Sequence, residues 1–489
     1  MYRLRRHFAT PIVALVCAAL AAAAVLWLTR APGPGLSPDS MSYLAAARAL
    51  ARGEGPRVPF ADWSDADSTS RLRDFPPGFP SAIAVGMALG ASTEQSARWV
   101  MALAAAGSAA GTVLAVSSVA GPAAGLLAAV LVAVAPAFVE QHFIVLSEPL
   151  FLALLVALLA LMITRRPRPL ALGVVSGAAV MVRYAGVALP FAAALWCASR
   201  PGRWRERLSR GAAAAGPGAV AFVLWSRWAG GVRNYGWKGH LGPTLTEGWN
   251  TLQSWMLPGV HPSVLRIMLT LPVLAAIAWL LGAAMRGTHG DESGARRVVV
   301  ASGVLASCYA GIVLFSRLVA DAGIPFDNRL FSPVFLLVTV AQVVAGSAVW
   351  RTWSVPARAV AGVAGILWLA GSVVVVRQEA GELAEDGWGY ASADWVSSDL
   401  VRWLHSDGRH YALFSDSPPS LYSLTGRPSR RLDSQDEPAE IGEVLATRPS
   451  AIVGFRDTET GELGRTAALA ARLGYHQVVR SDAGAVWLK

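Results

Sequence analysis

Four short groups in this 489-residue chain carry side chains suited to chemistry: Asp39, Ser147-Glu148, Arg183-Tyr184 and Asp327-Asn328-Arg329. A carboxylate can orient and deprotonate a hydroxyl, contributing about 10²–10⁴-fold as a general base. Arginines bind and stabilise a departing phosphate through bidentate, charge-assisted hydrogen bonds. Together these residue types describe transfer of a group from a lipid phosphate to a hydroxyl. Each group also has a plainer reading. Ser37 or Asp39 suits the cap of a helix over Ser40 to Ala51, with an acid favoured there by the helix dipole. Ser147-Glu148-Pro149 is a good helix start, and Asp327 with Arg329 makes a surface pair worth about 0–1 kcal/mol. Arg183 fits a plain reading least. An arginine between two apolar legs costs about 2.5 kcal/mol or more at full depth, so it faces a polar cavity or snorkels to the interface.

The elements that must position these groups are built to sit in lipid. Apolar residues make up 54% of the chain and charged residues 15%, against roughly 45–50% and about 25% in soluble globular proteins. Mean hydropathy is +0.45. The net charge of +10 raises the idea of a nucleic-acid partner, but the arginines recur as short clusters between apolar runs. That is the positive-inside pattern of a polytopic membrane protein, so nucleic acid is set aside. The three cysteines lie inside apolar runs, without metal-ligand spacing and without a disulfide framework. There is no internal repeat, no G-x-G-x-x-G, no phosphate-loop lysine and no H-E-x-x-H.

Taken in order, Met1 to Phe8 carries Arg3, Arg5 and Arg6, and an apolar run follows from Ile12 to Leu28. This run outlasts a signal-peptide core of about 7–15 residues and reads as an uncleaved first span. Residues 36–80 form the first loop outside the cytoplasm. Ser81 to Gly90 is too short for the roughly 20 residues a crossing needs and reads as half-inserted. Further spans alternate with arginine clusters at Arg165–Arg168, Arg200–Arg210, Arg286–Arg297 and Arg351–Arg358. Leu170 to Cys197 is a hairpin with Arg183-Tyr184 at its middle, and Gly230 to Pro262 is a second polar loop. The expectation is a polytopic α-helical membrane module of about 11 spans over residues 1–376. With that count the clusters between spans share the cytoplasmic side, and the four polar groups share the other. From 377 to 489 the composition becomes soluble. Tyr411-Ala-Leu-Phe, Ala451-Ile-Val-Gly-Phe and Ala485-Val-Trp-Leu read as strands. Asp394–His405, Glu437–Ala446 and Thr460–Leu473 read as helices of an extracytoplasmic α/β domain.

Five stretches carry a resemblance to a known family. They are Asp39-Ser-Met-Ser-Tyr-Leu-Ala-Ala-Ala-Arg-Ala-Leu-Ala-Arg-Gly53, Phe75-Pro-Pro-Gly-Phe-Pro80, Leu146-Ser-Glu-Pro-Leu-Phe151, Val182-Arg-Tyr184 and Asp327-Asn-Arg-Leu-Phe-Ser-Pro333. In this order the chain resembles the GT-C membrane glycosyltransferases, in the protein-mannosyltransferase-like and aminoarabinose-transferase-like group. The resemblance implies an inverting transfer of a sugar from a polyprenyl-phosphate carrier to a hydroxyl of a glycan, lipid or protein. It implies a multi-pass enzyme of the bacterial plasma membrane, N-terminus cytoplasmic and C-terminal domain outside. The family's catalytic aspartate falls on Asp39. Arg183 and Arg329 are expected on the donor phosphate, with Glu148, Tyr184, Asp327 and Tyr43 on substrate. The protein mannosyltransferases carry a second acid where this chain has Ser40, so their acceptor site does not carry over. Some relatives bind a divalent metal; Glu140, His142 and Glu148 are the residues here that could gather as ligands. The competing class is a transporter or flippase of lipid-linked sugars, which tends to show repeats and midplane polar residues.

Overall fold

The computed structural model describes residues 2–65, 69–230, 236–237, 239–260, 263–286, 292–321, 323–432, 438–456 and 463–489. The chain divides into two compact units. One is Met1–Trp27, Trp99–Phe143 and Ser147–Gly381; the other is Leu28–Arg98, Ile144–Leu146 and Glu382–Lys489.

The first unit is helical. Across the described chain five helices are long and apolar enough to cross a bilayer: Ala9–Leu28, Thr93–Ala120, Gly294–Ala320, Asn328–Val349 and Val355–Asp386. Pro122–Ala133 and Pro136–Phe143 make a sixth candidate, bent by 62° where the chain reads Ala-Pro. Glu148–Met162, Pro169–Val182, Tyr184–Ala198 and Met268–Ala283 are apolar but shorter. The sequence count of about 11 spans takes in these shorter helices as well. The chain is an integral membrane protein. Leu152, Leu155, Leu159, Leu189, Leu305 and Leu336 meet in its core with almost no exposure. Between lipid-facing helices, close backbone approach replaces the hydrophobic drive. Pro169–Val182 shows this against Trp204–Ala229, where a Cβ on Gly173 would stand 2.7 Å from the Ala213 carbonyl oxygen.

One local feature differs from the sequence reading and one agrees with it. The stretch expected as a second polar loop carries a 16-residue helix, Leu241–Met256. Gly242, Pro243 and Gly248 lower its intrinsic propensity, but its polar side chains bind the start of the Asn328–Val349 helix. Thr251 donates to the Phe326 carbonyl at 2.6 Å, and Ser254 and the Trp255 indole both donate to Asn328 Oδ1. The run from Leu170 to Cys197 breaks at Arg183, which is extended at φ −147°, ψ 144°. Gly186 lets the chain turn there, since a Cβ would stand 2.4 Å from the Ala179 carbonyl oxygen.

The second unit holds a six-stranded sheet in the order Phe60–Asp62, Ser429–Arg431, Ala412–Ser415, Ser450–Phe455, Gly484–Leu488, His476–Arg480. The first four run parallel and the last two pair antiparallel. Three strands lie over the stretches whose patterning reads as strand. Leu413, Val453 and Val486 face one layer with Leu400, Leu404 and Leu421. Phe414, Ile452 and Trp487 face the other with Ile441, Leu445 and Leu469, the period-two alternation of a sheet covered on both sides.

Candidate active site

Glu148 is the centre of the first unit's polar cluster. It opens the helix Glu148–Met162, and its side chain is 2% exposed. Oε1 receives both Arg183 Nη1 and Arg329 Nε, the latter at 2.5 Å. Ser147 Oγ donates to Oε2 at 3.3 Å. Arg183 comes from the helix break and Arg329 from the first turn of Asn328–Val349, so one buried oxygen ties together three segments distant in sequence.

The neighbours fix this geometry. Asp327 caps the helix, accepting from Leu330 N at 2.9 Å, while Arg329 Nε reaches Glu148. Tyr184 accepts from the Trp225 indole at 2.8 Å. Tyr309, fully buried in the middle of an apolar helix, donates to the Leu330 carbonyl at 3.0 Å and packs on Phe151. Sequence reasoning missed Tyr309, Trp225 and Trp255; the one available signal was a lone polar aromatic within an apolar run. A cavity of about 150 Å³ adjoins Asn328 and is lined also by Ser254, Trp255, Arg266, Trp368 and Glu379. That is room for roughly five waters.

The suggested metal ligands do not gather. Glu148 is held by arginines, Glu140 hydrogen-bonds Asn328, and His142 Nδ1 lies 2.7 Å from the Phe138 carbonyl oxygen with its ring stacked on Phe138. Among the described residues no group of three or more His, Cys, Asp or Glu side chains is placed to hold a metal ion.

Asp39 and Tyr43 belong to the second unit. Asp39 stands half-buried in the first turn of the helix Pro38–Ala51. It is not the cap: Ser37 is, and Ser40 completes a capping box with it. The helix start is thus secured without the Asp39 carboxylate. Ser40, at the position of the family's second acid, is fully buried and donates to the Val145 carbonyl at 2.8 Å. An acid there would have to displace this network. Tyr43 is 2% exposed and packs between Phe75 and Phe79, at 4.7 and 5.1 Å between ring centroids. It braces the Phe75-Pro-Pro-Gly-Phe turn against the Asp39 helix.

Residues 74–229 match the family described as dolichyl-phosphate-mannose-protein mannosyltransferase. The fold matches solved structures along almost the whole chain. ArnT from Cupriavidus metallidurans, bound to undecaprenyl phosphate, is similar at 15% identity and TM-score 0.56, covering 97% of each chain. The archaeal oligosaccharyltransferase AglB from Archaeoglobus fulgidus, in complex with an inhibitory peptide and a dolichol-phosphate, is similar at 12% identity and TM-score 0.56, covering 94% of this chain and 71% of that one. The arabinofuranosyltransferase AftD from Mycobacteria is similar at 17% identity and TM-score 0.53; the match covers 96% of this chain and 41% of the AftD chain. No curated protein matches the chain significantly by sequence. The fold along almost the whole chain is thus similar to that of these solved GT-C proteins, while the sequence match to the mannosyltransferase family covers residues 74–229.

Proposed function

We propose that the protein is an inverting glycosyltransferase that moves a sugar from a polyprenyl-phosphate carrier to a hydroxyl acceptor at the outer face of the membrane. The observation that carries this reading is the pair of guanidinia sharing one oxygen of Glu148. A carboxylate that anchors two arginines at once preorganises them, and preorganised donors favour a group that gains negative charge. In the reaction the acceptor oxygen attacks the anomeric carbon. The bond from that carbon to the phosphate oxygen breaks, and the polyprenyl phosphate leaves with the electron pair. Arg183 and Arg329 take the phosphate, and the cavity beside Asn328 offers room for part of the donor. Asp39, half-buried and not needed for capping, takes the acceptor proton. The two roles are assigned from separate units, each on its own geometry. The N-terminus is cytoplasmic and the soluble region after the last span is outside.

The test is a membrane assay with a panel of polyprenyl-phosphate sugars, read by mass spectrometry for the released lipid phosphate. Asp39→Asn keeps the size, and the helix-dipole contribution it gives up is about 0.3–1 kcal/mol. It should therefore be inserted normally and fail to transfer. Turnover close to the parent's at saturating donor would remove Asp39 from the mechanism, and release of lipid phosphate from no member of the panel would remove the reading as a whole.

A further inference from the structure

The segment that follows the last long helix returns to Asp39. Gly389 bridges Leu36, Tyr390 N donates to the Leu36 carbonyl at 2.9 Å, and Leu36 N donates to the Trp388 carbonyl. This holds Tyr390 beside the first turn that carries Asp39, whose charge acts on the Tyr390 phenol. The Tyr390 hydroxyl lies 2.6 Å from Ser420 Oγ, and Ser420 Oγ lies 2.6 Å from Ser417 Oγ. Both serines stand at the start of the helix Pro418–Thr425, which packs on the Asp39 helix. The Tyr390 ring lies 5.0 Å from Trp395, which in turn stacks on Phe455. Arg48, the cation on the Asp39 helix, is engaged by Tyr422 at 2.9 Å and Thr93 at 3.2 Å.

We infer that Tyr390, with Ser420 and Ser417 behind it and Trp395 beside it, is the acceptor subsite next to Asp39, and that it takes a neutral sugar ring. The inference rests on the reading of Asp39 as base. A hydroxyl both donates and accepts, so a chain of three can reverse direction to suit a ligand whose own groups are hydroxyls. Tyr390 and Trp395 are both half-buried, so each keeps some apolar ring surface exposed for the C–H side of such a ring. Burial raises the Tyr390 phenol above its ordinary value, so it stays a donor at neutral pH. The nearby arginine is already occupied, which suits an uncharged acceptor better than a phosphorylated one.

The test uses the full-length protein in nanodiscs, with methyl glycosides and a serine-containing peptide as alternative ligands. Binding is read by calorimetry, and transfer with the donor panel. Tyr390→Phe keeps the ring on Trp395 and removes the hydroxyl. It should weaken glycoside binding and raise acceptor KM about tenfold, with donor KM within about twofold of the parent. Ser420→Ala should follow it, and Ser420→Thr should restore binding. Glycoside binding unchanged in Tyr390→Phe, or peptide binding in place of glycoside, overturns the subsite. Transfer that persists in Asp39→Asn while Tyr390→Phe still weakens glycoside binding overturns the base assignment instead, and leaves the sugar site standing.

Discussion

The first unit contains two arginine–carboxylate contacts built on opposite plans. Glu247 faces one arginine: Arg317 Nη2 donates to Oε1 at 2.7 Å, Nη1 pairs with Oε2, and Phe326 N adds 3.2 Å to the same oxygen. Charges match one to one, and Arg317 also lies 5.0 Å above the Phe326 ring. The contact joins the Leu241–Met256 helix to the segment leading into Asn328–Val349. Glu148 instead meets two arginines through one oxygen and is 2% exposed. The first joins one arginine to one carboxylate and acts as a staple. The second gathers arginines from two separate segments on one buried oxygen.

The largest test of this contrast is Glu148→Gln. Removing the anion leaves two guanidinia at a buried position, an effect of about 3–5 kcal/mol for breaking a buried ionic group. The variant should lose most of its thermally stable, monodisperse form in detergent. Replacing Glu148, Arg183 and Arg329 together by apolar residues of similar size should recover much of that stability and no transfer. A stable Glu148→Gln protein would mean that the arginines are neutralised elsewhere.

Next come the arginines themselves. Arg329→Lys keeps the charge and loses the planar fork. Turnover should fall by roughly 10²-fold, the scale for losing one preorganised donor to a developing charge. Arg183→Lys should mainly raise donor KM, by about tenfold, as expected for ground-state binding. Initial rates against donor concentration separate the two. If Arg329→Lys changes neither turnover nor donor dependence, the leaving phosphate is held elsewhere, first at Arg71 or Arg73; Lys238, the third alternative, lies outside the described residues.

The smallest effect belongs to the staple. The hydrogen bond from Arg317 holds the Glu247 carboxyl below its ordinary value. Its stabilisation is therefore present above the unfolded carboxylate range and lost as pH falls through the folded value. Glu247 is 43% exposed, so the stake is about 0–1 kcal/mol. Glu247→Gln should lower the unfolding midpoint slightly at neutral pH and match the parent in acid, with turnover near normal. A turnover defect as deep as that of Arg329→Lys would erase the distinction between the two contacts.

Much of this was legible in sequence because single residues announce themselves against an apolar background. Arg183 between two apolar legs and the acids near helix starts stood out for that reason. Their partners did not. That Glu148 joins Arg183 and Arg329 depends on tertiary packing of three helices, and nothing local encodes it. Tyr43 stood out because it lies in the motif beside Asp39; its packing on Phe75 and Phe79 depends on how that loop folds, which no local pattern encodes. The strand Phe60–Asp62 was invisible because its ladder partner, Ser429–Arg431, lies far along the chain. His476–Arg480, mostly exposed at the sheet edge, lacks the apolar alternation that marks a strand.

The bridge between Leu36 and Gly389 has a consequence for biosynthesis. The two residues are separated by about 350 positions, so the ribosome makes nearly all of the membrane helices before the second half of that bridge exists. At about 5–20 residues per second, the wait is roughly 18–70 s. Through that interval the Asp39 turn has its own cap but lacks Tyr390 and the serines. The segment that carries Tyr390 and the serines is thus the last part of this region to join the Asp39 turn during synthesis.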